Sequence, residues 1–190
     1  MIGMPMDAVP DLPALLDAID AGATHKHSTI HGEGHWKCVA STGLHLLPHV
    51  PGCDAAVLLL FAMLHDTQRL NDGHDSEHGP RAAAFVGAIH RRGLIFLPPE
   101  RLRLLEHACH DHTGGAVTSD PTVGACWDAD RLNLWRVGKR PDPRWLSTAA
   151  ARSPHRIANA SRLEGQHESW QELFRRYGDA AGVAASVTRG

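Results

Sequence analysis

Residues 53–69 read CDAAVLLLFAMLHDTQR, and ten successive apolar residues, Ala55 to Leu64, run directly into His65 and Asp66. An apolar run of this length is too short to cross a bilayer. It suffices for about three turns of a helix that is apolar on every side, which predicts a buried central helix with Asp54 as its N-cap. A buried carboxylate is costly unless it is paired or bound to a metal. Partners for the polar pair are therefore expected from the rest of the chain.

The composition narrows the class of protein. A chain of 190 residues predicts one domain with a sizeable core. Lys and Arg number 19 against 21 Asp and Glu, for a net charge of −2, so neither a nucleic acid polymer nor a membrane surface is an expected partner. Fifteen histidines stand out, because histidine is the commonest metal ligand, and all but two of them lie between His25 and His112.

Two further features concern the compartment. The four cysteines lack CxxC spacing and lie in apolar stretches, which predicts buried thiols rather than disulfides or ligands. The N-terminal segment MIGMPMDAVPDLP lacks the basic and apolar regions of a signal peptide. We therefore expect a cytoplasmic protein.

Every periodic segment has helical spacing, so the sequence predicts an all-α fold. The predicted helices cover Pro10–Ala21, His31–Leu47, Ala55–Leu64, about Ser76 to Gly93, Pro98–His112, Pro121 to about Val137, and Arg162–Tyr177.

Four of these helices carry a metal-ligating side chain on the core-facing stripe or at its end, namely His35, His65 with Asp66, His112, and Asp130. A single histidine on an apolar face is more often a satisfied core residue. Together, mixed histidine and carboxylate ligands favour a divalent ion such as Mn, Fe, Zn, Ni or Mg over a thiolate-bound structural zinc.

The order His35, His65-Asp66, Asp130 resembles the HD superfamily of metal-dependent phosphohydrolases, whose signature is H…HD…D on an all-helical core. The segments IHGEGHWKCV, FAMLHDTQRLNDGHDSEHGPRAA, ACHDHTGG and CWDADRLNLWRVG are similar to four blocks of a bacterial HD subgroup without an assigned substrate. The resemblance spans about Thr29 to Arg152. It implies a single-domain helical bundle of the HD-domain type with its core at 29–152. The sequence pattern adds an N-terminal helix in 1–28 packed on that core, a C-terminal helix in 153–177 and a flexible tail at 178–190.

The primary metal ligands that the resemblance implies are His35, His65, Asp66 and Asp130. Asp130 is preferred to Asp128 because the family's last aspartate precedes the x-Leu step. A second ion or a phosphate contact would involve His78 and His112, with His90 behind them. The cofactor would be one or two divalent ions (Mn, Fe, Ni, Zn or Mg), and catalysis would use a metal-bound water oriented by Asp66.

Candidates for contact with a substrate phosphate are the cationic side chains near these ligands in sequence, Lys37, Arg69 and Arg131. His31 lies one turn before His35, which leaves three roles open. It lines the same cavity, caps the helix, or forms a hydrogen bond to one of the metal ligands. The alternative for each cation is a solvated or ion-paired surface residue. The sequence assigns no role to His74 or His110.

The implied function is hydrolysis of a phosphoester of a small molecule, with nucleotides as the class that the family suggests. Two alternatives use the same residues differently: a non-catalytic sensor that binds metal or nucleotide, and a helical domain whose histidines are incidental. A homo-oligomer is compatible with the sequence.

Overall fold

The computed structural model describes residues 5–114, 116–163 and 168–187, and these residues form helices and connecting loops without a strand. The helices are α1 (Pro5–Ala8), α2 (Leu12–Gly22), α3 (Glu33–Leu46), α4 (Ala55–Leu64), α5 (His78–Arg91), α6 (Pro99–Asp111), α7 (Pro121–Leu132), α8 (Pro154–Leu163) and α9 (Trp170–Val187). Short 3-10 segments lie at Leu47–His49, Asn133–Val137 and Pro143–Trp145. The all-α prediction is confirmed.

Helix α4 is the centre of the molecule, as its sequence predicts. All ten of its residues are buried, and α3, α6, α7 and α9 pack around it. Asp54 caps the helix by accepting hydrogen bonds from the N–H groups of Ala56 and Val57 at 3.0 and 3.1 Å. The same carboxylate accepts two bonds from the guanidinium of Arg101 on α6, which ties the start of α4 to its neighbour.

The start of α3 and the end of α7 differ from the prediction. Helix α3 begins at Glu33 rather than His31, because the Ser28 hydroxyl accepts hydrogen bonds from the N–H groups of Ile30 and His31 and holds them in a turn. Helix α7 ends at Leu132 and tightens into the 3-10 segment, which stops at Gly138 with a φ of +69°.

The C-terminal region also differs, since two helices replace the single predicted helix over Arg162–Tyr177. Helix α8 forms because Ile157 and Ala160, one turn apart, are both buried. Helix α9 starts where Ser169 accepts a hydrogen bond from the N–H of Glu172. It continues beyond Tyr177 to Val187 through most of the predicted tail, and residues 164–167 and 188–190 lie outside the described part of the chain.

Close helix contact depends on two glycines. A Cβ at Gly43 would lie 2.6 Å from the Tyr177 hydroxyl, which donates a 2.8 Å hydrogen bond to the Ala40 carbonyl and so fixes α9 against α3. A Cβ at Gly79 would collide with the backbone carbonyl of His110. The absence of a side chain there lets α5 and α6 approach each other.

All four cysteines are buried, and no disulfide joins them, as the sequence predicts. Across the described residues, none of the helices combines the length and the apolar character that a membrane crossing requires.

Candidate metal centre

Six side chains converge at the inner end of α4. His35 comes from α3, His65 and Asp66 follow α4, His78 begins α5, His112 follows α6, and Asp130 lies on α7. Five of these side chains are at most 3 % exposed, and Asp130 is 17 % exposed. The structure thus brings together six residues that the sequence singles out.

Asp66 lies at the centre of this cluster. One carboxylate oxygen, Oδ2, is 3.7 Å from Nε2 of both His35 and His65. The other oxygen, Oδ1, is 3.1 Å from His78 Nε2 and 3.4 Å from His112 Nε2. Each oxygen of a single carboxylate therefore faces its own pair of imidazoles.

The first group of donor atoms surrounds Oδ2. His35 Nε2 lies 3.3 Å from His65 Nε2 and 3.1 Å from Asp130 Oδ1, and His65 Nε2 lies 3.9 Å from the same Asp130 oxygen. Among the described residues, buried Asp130 Oδ1 receives no well-formed hydrogen bond. Two imidazoles and two carboxylates with unsatisfied oxygen fit a divalent ion.

The second group consists of Asp66 Oδ1, His78 and His112, whose Nε2 atoms lie 2.9 Å apart. His112 Nδ1 donates to the Cys109 carbonyl at 2.7 Å, and His78 Nδ1 faces the Asp75 carbonyl at 2.5 Å. In neutral imidazoles with these bonds, both Nε2 lone pairs point toward each other and toward a carboxylate oxygen. Arg69 Nη1, 3.1 Å from His78 Nε2, supplies one donor to this group, and the three acceptors together also fit a divalent cation.

Electrostatics favours the ligand forms of the first group. Burial lowers the pKa of His65 to about 3, and burial followed by the charge of Arg136 lowers the pKa of His35, so both rings are neutral at pH 7. Burial opposes ionisation of Asp66 and Asp130. The neighbouring histidines outweigh it and hold the pKa of Asp66 well below its usual range. For Asp130, the His35 hydrogen bond and the Arg136 charge do the same to its pKa.

His112 differs from His35 and His65. Burial lowers its pKa, but the hydrogen bond and charge of Asp66 outweigh burial and raise that pKa above its usual value.

Two predicted phosphate-contact residues also reach the cluster. His31 Nδ1 lies 3.0 Å from Asp66 Oδ2. Arg69 Nη1 lies 3.7 Å from Asp66 Oδ1 and 3.1 Å from His78 Nε2, while its Nη2 donates to the Gly73 carbonyl at 2.8 Å. Arg69 therefore supports the buried second donor group.

Lys37, predicted to contact phosphate, does not reach the cluster. It follows His35 by two positions, which turns it about 200° around the helix axis. Its Nζ pairs with Glu33 at 2.8 Å and lies 5.9 Å from the centre of the Trp170 ring.

Arg131 and His90 do not reach it either. Arg131 points about 100° away from Asp130 and donates to the carbonyls of Ala116 and Trp145 at 2.6 and 2.7 Å. His90 lies in the last turn of α5, about 18 Å along the helix from His78.

Arg136 is the residue that sequence reasoning missed. Its Nη2 lies 3.4 Å from His31 Nδ1 and 3.9 Å from Asp130 Oδ1. Its Nε and Nη1 donate to the carbonyls of Ile30 and Asn133 at 2.9 and 3.0 Å, which fixes the guanidinium. A continuous α-helix would turn Arg136 about 120° from Asp130, whereas the 3-10 segment returns it to the same side.

Asp128 has a structural role. Its buried carboxylate accepts hydrogen bonds from the N–H groups of Ser147 and Thr148 at 2.6 and 2.7 Å and from the Thr148 hydroxyl at 2.7 Å. It anchors the segment after the Pro143–Trp145 turn. Asp130, as the sequence predicts, faces His35 and His65.

Among the described residues, the most exposed side of the cluster is the one formed by His31, Asp130 and Arg136, and we call it the open side. His31, Asp130 and Arg136 have side chains 12 %, 17 % and 12 % exposed, whereas the other ligands are at most 3 % exposed. A molecule from solvent therefore meets His31, Asp130 and Arg136 first.

Comparison with known proteins adds no relative: no protein-family model, no curated protein and no solved structure matches the chain significantly. Evidence for a function therefore comes from the motifs and the geometry of this chain. An all-helical fold with a buried His/Asp cluster that could hold a divalent ion is compatible with an HD-type fold.

Proposed function

We propose that the protein is a metal-dependent phosphohydrolase with two ions that share Asp66. The observation that carries the proposal is the division of the Asp66 carboxylate, whose two oxygens face two separate pairs of histidines. The first ion would be held by His35, His65, Asp66 and Asp130, and the second by Asp66, His78 and His112. When bound, such ions lower the pKa of a coordinated water and polarise a phosphoryl oxygen.

The protein's own groups would position the substrate. Arg136 lies on the open side with its guanidinium fixed by two backbone carbonyls, so it is placed to donate to a phosphoryl oxygen and stabilise its charge. His31 Nδ1 lies closer to Asp66 Oδ2 than to Arg136 Nη2, so it would donate to the carboxylate and orient Asp66. Arg69 would hold His78 and Asp66 in place from the buried side.

The access route supports a small substrate. The side chains on the open side are each less than a fifth exposed, so a compact phosphorylated group fits this opening better than a nucleic acid polymer does. We propose a small phosphorylated molecule as the substrate, with nucleotides as the first class to screen.

The proposal is tested by metal content together with phosphate release. Untagged wild type, Asp66→Ala, His35→Ala and His112→Ala are reconstituted with Mn, Fe, Ni, Zn or Mg, and bound metal is measured by mass spectrometry. We expect two equivalents in wild type, about one in the His112 variant and none in the Asp66 variant. Phosphate release from a nucleotide panel should be lost in all three variants.

His90→Ala is the matched control, because it removes a histidine of α5 far from the cluster. It should keep both metal and turnover. Full turnover in the Asp66 variant, or no metal in reconstituted wild type, would contradict the proposal. Two equivalents of metal without phosphate release from any substrate would instead identify a non-catalytic metal-binding sensor.

A further inference from the structure

A separate cavity of about 360 Å³ lies between α3, the end of α7 and α8. Its floor is apolar, with Leu46, Leu132 and Ala160 each at most 4 % exposed. None of the metal-cluster residues lines it. The polar side chains around this floor are Thr42, His45, His155, Arg156, Asn159 and Arg162.

Among the described residues, the charged side chains that line the cavity are all basic, and no aspartate or glutamate lines it. Neither Arg156 nor Arg162 has the carboxylate of a described residue within ion-pair distance. Two such guanidiniums on one cavity form a local positive region in this part of the structure.

Part of this lining is held in place before any ligand arrives. Arg156 Nη1 donates to the His45 carbonyl at 2.9 Å, which connects α8 to the end of α3 and uses one of the five N–H donors of the guanidinium. Asn159 Nδ2 lies 3.0 Å from His155 Nε2, one turn apart on α8. Ordered donors lower the entropic cost of binding.

The position of Arg156 on α8 favours an anion nearby. Arg156 lies in the first turn of the helix, which contains no acidic residue, whereas Arg162 lies in the last turn. The N-terminus of a helix is its positive end, so basic side chains there are unfavourable without a counter-charge. A bound anion would supply that charge and accept from the arginines at once.

We propose that this α3–α8 cavity binds a small organic anion, a carboxylate or phosphate group carried on a single ring or short alkyl body. The apolar floor would take the body and the two arginines the charged group. The volume is at the lower end of the range of small-molecule sites, which limits the ligand to a compact molecule.

The test is titration calorimetry of metal-free protein with benzoate and phenylphosphonate, neither of which has a phosphoester to hydrolyse. We expect one molecule bound per chain and binding of neutral benzamide at least tenfold weaker. Arg162→Gln alone should weaken anion binding severalfold, and Arg156→Gln with Arg162→Gln at least tenfold. Arg140→Gln removes the same charge at an exposed position outside the cavity and should bind as wild type does.

The Asp66→Ala variant separates this site from the metal cluster, since it should keep full anion binding whether or not the hydrolase proposal holds. Loss of binding in that variant would overturn the inference. So would absence of binding of both anions to wild type, equal weakening by Arg140→Gln, or unchanged affinity in the double arginine variant. Thermal melting of each variant confirms that it is folded.

Discussion

At the scale of single residues, Arg136 and Arg69 have different surroundings at the cluster, so substituting them should affect different properties. Arg136→Gln removes a cation from the open side of the cluster. We expect kcat/KM to fall about 10- to 100-fold, because the lost charge-assisted hydrogen bond contributes about 1.5–3 kcal/mol. Metal content should remain that of wild type. Steady-state kinetics with parallel metal analysis checks this.

Arg69→Gln is the contrasting change. Because Arg69 contacts His78 and Asp66 from the buried side, the variant should lose part of its metal, at the second ion. Loss of metal in the Arg136 variant with retention in the Arg69 variant would reverse the two roles.

The sequence predicts which histidines and aspartates converge in the core but not which cations accompany them, for a physical reason. His35, His112 and Asp130 continue apolar stripes, so helical periodicity alone places them in the core. Lys37 and Arg131 are near ligands in sequence but lie on other helix faces. Arg136 depends on a change from α to 3-10 geometry that no apolar pattern reports.

A pH-dependent bond stabilises the loop that carries Arg69. Asp75 Oδ2 accepts from Arg81 Nη2 at 2.6 Å and from the Leu70 N–H at 3.0 Å. The Arg81 hydrogen bond outweighs burial and lowers the pKa of Asp75 to about 2. A carboxyl whose pKa is lower in the folded state stabilises above its unfolded pKa of about 4, and that contribution is lost as the pH falls toward 2.

We therefore expect Asp75→Asn to lower the free energy of unfolding by about 1–2 kcal/mol at pH 7 and by much less at pH 3. Urea unfolding of both proteins at the two pH values measures the difference. Asp17→Asn, at an exposed position of α2, serves as the control. A difference that stays constant with pH would show that the carboxylate charge is not what holds the loop.

At the scale of elements, the contact of α5 with α6 determines the second donor group. Gly79→Ala places a methyl group against the His110 carbonyl, so the helices must separate or shift. We expect a loss of about 1–3 kcal/mol of stability. Since His78 and His112 lie on these two elements, the affinity for the second ion should also fall, by metal titration.

Gly87→Ala is a matched control for that change. It lies on the same helix, but a Cβ there would meet only the ends of the Arg91 and Glu106 side chains, at 3.2 and 3.3 Å. It should leave metal binding near that of wild type. Equal loss of metal in both variants would contradict a specific role for the Gly79 contact.

The helices also show which boundaries can be predicted from the sequence and which cannot. The apolar run and the Asp54 cap predict α4 to the residue, and Asp120–Pro121 predicts the first residue of α7, because each of these boundaries is a local signal. The single helix predicted from Arg162 to Tyr177 runs through Gly165, although glycine has a low helix propensity and is a local signal against it. Burial of Ile157 and Ala160 against other elements decides the start of α8.

At the scale of the whole molecule, the donor atoms come from five helices or the residues that follow them, so they are assembled only in the folded chain. An ion that binds the folded chain alone stabilises it by about 2.7 kcal/mol at 100 times its dissociation constant. For a chain of this size, the melting temperature should rise by about 5–10 °C. Chelation should reverse the rise, and Asp66→Ala should show none; an equal rise in that variant would place the ion elsewhere.

Alkylation of the four buried cysteines can measure how often the core opens. Alkylating reagents attack the thiolate, and burial raises the pKa of Cys53 to about 12 and the pKa values of Cys109 and Cys126 as well. Labelling therefore has to wait until the packing around α3, α4, α6 or α7 opens. Mass spectrometry that follows the alkylation of each cysteine with time gives the opening rate of the region around it. Bound metal should slow the labelling of Cys109, which lies one turn before His112.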